Sequence, residues 1–106
     1  MATIFTASFG RHRGGVSEQR LLYRAPAIGT SVLRDLVVDN SASDEHNFVF
    51  FIQDTGGLAY ALFRGKLAGV TGQHLDLRQV LLADDELWVF CDSTSWAAAA
   101  TGYSFT

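Results

Sequence analysis

The sequence predicts an all-β protein, an antiparallel β-sandwich or jelly-roll-like fold of about eight short strands. Three observations predict it. Apolar and polar residues alternate with a period of two in several short runs, the spacing of a half-buried strand. Turn-forming clusters of Gly, Asp, Asn and Ser recur roughly every eight to twelve residues. No segment carries a sustained helical period, and the apolar runs at residues 48–52 and 87–91 are rich in β-branched and aromatic residues.

Residues 3–9 alternate, with Phe5, Ala7 and Phe9 on one side and Thr6 and Ser8 on the other. Residues 10–15, Gly-Arg-His-Arg-Gly-Gly, interrupt that strand and predict a surface loop. A glycine-rich loop can cradle phosphate, but this one lacks the Lys-Ser/Thr ending of a P-loop. Residues 21–24 form a short extended piece, and residues 25–30 a turn around Pro26, the only proline.

Residues 31–39 read as a strand and residues 40–46 as a polar loop. Residues 47–53, Asn-Phe-Val-Phe-Phe-Ile-Gln, are the most strand-like run in the chain. Asp54-Thr55-Gly56-Gly57 is a hairpin signal, and residues 58–63 follow at hairpin distance. Residues 64–72 predict a glycine-bearing connection. In residues 74–78, Leu75 and Leu77 point inward and His74 outward.

Residues 79–92 read as two strand pieces around a polar hairpin corner, Ala83-Asp84-Asp85-Glu86. In the second piece Leu87, Val89 and Cys91 share one face, and Trp88 and Phe90 the other. The tail, 97–106, holds four alanines, which favour helix. Tyr103 and Phe105 alternate with Gly102 and Ser104, so a closing strand with small side chains is expected.

One hundred and six residues, nearly half of them apolar, make one domain with its own core. Residues 1–20 form an N-terminal strand and basic Gly-rich loop, and residues 21–106 the sandwich body. Cys91 cannot form an internal disulfide, and its apolar setting predicts a buried free thiol. A chain without disulfides fits cytosolic synthesis. No apolar run reaches the ~20 residues of a membrane helix, and no secretory signal is visible.

The net charge of −3 argues against non-specific nucleic-acid binding. The charge is uneven: residues 1–24 carry +3 and residues 25–106 carry −6. A basic front on an acidic body suits head-to-tail contact between copies.

Candidate chemistry is sparse. Asp84, Asp85 and Glu86 lack the alternating oxygen ligands of a calcium loop and read as turn acids. His12, His46 and His74 are widely spaced, with no paired metal-ligand motif; His46, in a loop, is expected to be exposed. No Gly-x-Ser-x-Gly occurs, and Cys91 within a strand is a poor place for an activated thiolate. The chain is therefore read as a non-enzyme with no cofactor and no metal. Trp88, Trp96, Tyr60 and Tyr103 could form a stacking platform, and the alternative reading is a carbohydrate-binding module using Trp88, Trp96 and Tyr60. If the Leu87 face is core, Trp88 and Phe90 lie on an outer face, as at an interface.

Three segments together resemble small structural proteins of tailed bacteriophages. Residues 22–30, Leu-Tyr-Arg-Ala-Pro-Ala-Ile-Gly-Thr, are similar to the Tyr-Thr-Ala-Pro-Ala start of many such chains. Residues 32–40 are similar to the strand that follows. Residues 75–89 are similar to their Leu-x-Leu-x-x-x-Leu-x-Ala-Gly-Asp-x-Leu-x-Val closing element, with Asp84 where that family has glycine. Order and spacing agree over about residues 21–92, leaving residues 1–20 outside. The resemblance implies a small β-sandwich in the virion, made in the host cytoplasm and placed on tail, neck or capsid as decoration, with no catalytic residues. Partners would be capsid or tail proteins and copies of itself as a homo-oligomer, with no nucleic acid and no membrane. The expected partner-binding residues are Arg11, Arg13, Arg20, Trp88 and Phe90.

Overall fold

A computed structural model of the chain describes the backbone of residues 4–14 and 18–105 and the side chains of residues 19–104. Its strands are β1 (Ile4–Gly14), β2 (Glu18–Arg24), β3 (Thr30–Asn40), β4 (His46–Gln53), β5 (Ala59–Leu67), β6 (Thr71–Leu81), β7 (Glu86–Cys91) and β8 (Trp96–Phe105). They form two four-stranded sheets, ordered β1-β8-β3-β6 and β2-β7-β4-β5, with every neighbouring pair antiparallel. Only β4 and β5 are consecutive neighbours; every other connection crosses between sheets. Eight strands wound this way make a double Greek key, the jelly roll. The fold is therefore the all-β antiparallel sandwich expected from the pattern.

The core lies between the sheets. Leu33, Leu36, Val38 and Leu81 come from the first sheet, and Phe48, Phe50, Ile52, Leu87, Val89 and Cys91 from the second. Burial alternates with period two along β4 and β7, as the pleat requires. The closing strand supplies small inward residues, Ala98 and Ala100, and one large one, Trp96. Burial pushes the Cys91 thiol up from its usual value, the mark of an inert packed cysteine.

Several boundaries differ from expectation: β2 starts at Glu18 rather than at residue 21, and residues 74–78 and 80–81 belong to one strand, β6. The first strand does not stop at Phe9: Arg11, His12 and Arg13 stand opposite Ala99, Ala98 and Ala97, so the predicted loop is strand. A register shift between Ser8 and Gly10 absorbs the break, glycine in a strand being a common bulge residue. β5 continues to Leu67 and β6 starts at Thr71, which shortens the 64–72 connection to three residues. The acidic corner is not a hairpin, because β6 and β7 belong to different sheets.

That corner is nonetheless well built. Ala25 donates its N–H to the Asp85 carbonyl, and Asp84 donates to the Ala25 carbonyl. The Asp85 carboxylate, itself buried, accepts the Leu82 N–H at 2.8 Å. Asp84 has φ +66°, the left-handed conformation. Glycine adopts it freely and aspartate tolerates it. Its ion pair with Arg24, at 3.8 Å between exposed side chains, adds little.

At the opposite end, Asn40 ties three connections together. Its Nδ2 donates to the carbonyls of Asp44 at 2.8 Å and Ala68 at 3.2 Å. Its Oδ1 accepts from the Ala42 N–H and the Ser93 hydroxyl. The 68–70 connection presses close: a Cβ on Gly69 would lie 2.1 Å from the Ser43 carbonyl oxygen. Val70, at φ +55°, is held there by its N–H on the Ala42 carbonyl.

Asn40→Ala lowers the free energy of unfolding in urea by about 3 kcal/mol, because several buried polar groups lose their partner. Asn40→Asp is at least as damaging, since an oxygen then faces the Asp44 and Ala68 carbonyls. Asp84→Val costs about 1–2 kcal/mol more than Asp84→Gly in the same measurement, since only the β-branched residue is strained at positive φ.

Candidate functional site

β4 and β7 are the two inner strands of the second sheet, and both are apolar on both faces. Their outward residues line up in register. One row runs Leu21, Trp88, Phe51, Ala61 across β2, β7, β4 and β5; the next runs Gln19, Phe90, Val49, Arg64. Trp88 and Phe51 stack with ring centroids 6.2 Å apart and planes 8° from parallel. The Trp88 indole N–H donates to Glu86 at 3.1 Å. Trp88, Phe51, Phe90 and Val49 are half-buried, covered by one another, while Leu21 is 44% exposed. A two-faced strand was expected at residues 87–91, and Leu87, Val89 and Cys91 are indeed fully buried beneath this surface.

Beside Phe90 the face sinks into a groove of about 440 Å³, lined by Asn47, Val49, Arg64, Lys66 and the edges of Phe48 and Gly65. Lys66 and Arg64 stand opposite Asn47 and Val49 in register, so both cations are on the outer face. A shallower groove adjoins it, with Tyr60 on its wall.

The structure divides the expected partner-binding residues. Trp88 and Phe90 share this face. Arg20 stands opposite Val89, out of phase with Gln19 and Leu21, and its side chain is exposed. Arg11 and Arg13 belong to β1 in the other sheet, and their side chains lie outside the described residues. The carbohydrate reading loses one of its three aromatics, because Trp96 is 1% exposed. Phe51, Leu21 and the Arg64–Lys66 pair were missed by sequence reasoning. The available signal was residues 48–52, apolar at both phases of a two-residue period, which an amphipathic strand would not be.

Two polar clusters contain the described histidines, His74 and His46. On the outer face of the first sheet, His74 Nε2 meets Asp35 at 2.8 Å, and Thr101 donates to the other Asp35 oxygen at 3.2 Å. The His74 hydrogen bond holds the Asp35 carboxyl below its usual value, against partial burial. The carboxylate stands between hydroxyl and imidazole, so His74 has no contact with Thr101 that could activate it as a nucleophile. Among the described residues no group of His, Cys, Asp and Glu is arranged to hold a metal ion.

The second cluster corrects the expectation for His46, whose side chain is only 17% exposed. Its Nδ1 lies 2.9 Å from Asp92 and its Nε2 3.0 Å from Asp44. Asp92 also accepts from the Asn47 N–H and side-chain amide. Burial works against the imidazolium, but the hydrogen bonds to Asp44 and Asp92 outweigh it and raise the His46 pKa above 6.5. The cluster closes the end of the sheet rather than presenting a free base.

No protein-family model matches the chain, and no curated protein matches it in sequence. Solved structures share its fold. It is similar to a chain of infectious bursal disease virus, Gx strain, with a TM-score of 0.60, 12% identity, and coverage of 98% of this chain and 32% of that one. The PBSX exported protein XepA matches with a TM-score of 0.57 and 8% identity, over 92% of this chain and 36% of its own. PirA matches with a TM-score of 0.52 and 13% identity, over 96% of this chain and 92% of its own. The chain spans about a third of the length of the viral chain it matches. At these identities the likeness is one of fold.

The His46 geometry sets a pH dependence. A histidine whose folded pKa is raised contributes stability that is complete below its unfolded value and is lost as pH rises through the folded value. The melting temperature of the wild type therefore falls as pH rises from about 6.5 through the raised His46 value, and His46→Gln removes that component of the slope. Equal slopes for the two proteins would contradict the assignment.

Proposed function

We propose that the chain is a non-enzymatic virion structural protein of a tailed phage, a capsid decoration, neck or tail component that packs through the outer face of the β2-β7-β4-β5 sheet. The observation that carries this reading is the apolar row Leu21–Trp88–Phe51, which the described residues leave exposed at Leu21 and half-exposed at Trp88 and Phe51. A contiguous aromatic surface on a small domain is the composition of an interface core. The three-part resemblance over residues 21–92 supports the phage context, and the fold shared with a virus chain is compatible with it. Its partners in this reading are other virion proteins and copies of itself. In this reading Arg20 and the front-segment Arg11 and Arg13, which do not stand in the rows of this face, act by steering association through their charge.

The test is the protein content of purified particles of the phage whose genome encodes the chain. Mass spectrometry is expected to find the chain, and its absence would end the virion reading. Trp88→Asp is expected to reduce incorporation about tenfold or more, since truncated interface aromatics commonly cost about 2 kcal/mol or more. Val37→Asp, at an exposed site on the first sheet, serves as the control that retains incorporation. Glycan binding abolished by Trp88→Ala, with no chain in particles, would favour the carbohydrate module instead.

A further inference from the structure

We propose that the groove beside Phe90 receives the acidic, apolar tip of a second copy of this chain. The inference rests on the reading that this face packs in an assembly, and it names the occupant.

The groove has an apolar floor, Val49 and Phe90, and a cationic rim, Arg64 and Lys66. Residues 25–106 hold four basic residues against ten acidic ones, and two of the four stand on this rim. Among the described residues Arg64 has no ion pair, and Lys66 reaches only an exposed Glu45 at 3.9 Å. The matching surface is on the same molecule. Connections 25–29, 54–58 and 82–85 all lie at one end of the sandwich, because Gln53, Glu86, Arg24 and Ala59 meet there in register. Each connection projects one large apolar side chain: Ile28 is 77% exposed, Leu58 71% and Leu82 65%. Among the described residues the same end carries the carboxylates of Asp54, Asp84 and Glu86 against one cation, Arg24, while the Asp85 carboxylate is buried.

The tip cannot fill its own groove. Val49, at the groove, is four residues along β4 from Gln53 at the tip, roughly 13 Å away on the same rigid strand. Contact is therefore between copies, with Leu58 and Leu82 set against Phe90 and Val49, and tip carboxylates against Arg64 and Lys66. Such a contact is heterologous, joining unlike surfaces head to tail, and it builds a ring or an open chain.

Sedimentation of the full chain at low salt tests this. Wild type is expected to self-associate with rising concentration and to dissociate as salt screens the ion pairs. The groove variant Arg64→Glu/Lys66→Glu and the tip variant Leu58→Ser/Leu82→Ser should each associate at least about tenfold more weakly. Mixed together they should stop at a heterodimer, since each retains one intact half of the contact. Thermal unfolding confirms that each variant is folded, with Arg64→Gln/Lys66→Gln as the milder groove variant. A wild type that stays monomeric, variants that assemble like wild type, or a mixture that stays monomeric would overturn the proposal. Wild-type assemblies that survive both variants, with particle incorporation still lost in Trp88→Asp, would overturn this inference alone. Assemblies lost in both variants, from a chain absent from particles, would uphold the contact and overturn the virion reading alone.

Discussion

The Asn40 side chain is the joint on which one end of the sandwich depends. It has no exposed surface, and both its donor and acceptor ends are occupied by the connections 41–45, 68–70 and 92–95. A buried polar group in a low-dielectric core is tolerated only when satisfied, so the side chain specifies one arrangement of three loops. Asn40 also ends β3, which is hydrogen-bonded to β6 on one side and β8 on the other. Register in the first sheet is therefore anchored where the connections cross to the second. The close seat of Gly69 against Ser43 and the His46 bridge from Asp44 to Asp92 belong to the same end. At the other end, the Ala25–Asp85 and Asp84–Ala25 backbone hydrogen bonds do similar work with fewer buried polar atoms.

A scaffold fixed at both ends lets its sheets differ. The first sheet has an outer surface of mixed character, where His74 and Thr101 each bond to Asp35. The second has aromatic residues outward on its two central strands. Period-two alternation normally gives a solvated sheet one polar face. β4 and β7 break that rule, and sites that break a local rule are where function is first sought. Half-burial of Trp88 and Phe51 against each other lowers the cost of an uncovered apolar face without removing it.

Much of the fold was legible in the residues. The hairpin at Asp54–Gly57 formed as its turn chemistry requires, with Asp54 accepting from the Gly56 and Leu58 N–H groups and Gly57 at φ +84°. The inward phase of Leu87, Val89 and Cys91 followed from alternation alone. The alanine-rich tail became a strand because it pairs with β1 and β3 at once, tertiary pairing overriding helix propensity. What failed was local reading of glycine. Residues 10–14 hold strand pairing because β8 continues opposite them, a partner that short-range signals do not reveal. The 82–85 corner looked like a hairpin because nothing in a turn says which sheet the next strand will join.

The site was legible in half. Trp88 and Phe90 announced themselves by phase against their neighbours. Phe51, Leu21 and Arg64 come into place only through cross-strand register, which sets residues from 10 to 67 positions apart side by side. Arg20 was grouped with the basic front segment by sequence proximity, whereas its register position is out of phase with the Trp88 row.

The central claim is that the Trp88–Phe51 face becomes covered when the chain assembles. Hydroxyl-radical footprinting, read residue by residue in the free chain and in intact particles, addresses it directly. Trp96, buried in the core, serves as a reference that stays protected in both. The account predicts that Trp88, Phe90 and Leu21 are oxidised in the free chain and protected in the particle. Equal oxidation of Trp88 in both states would contradict it.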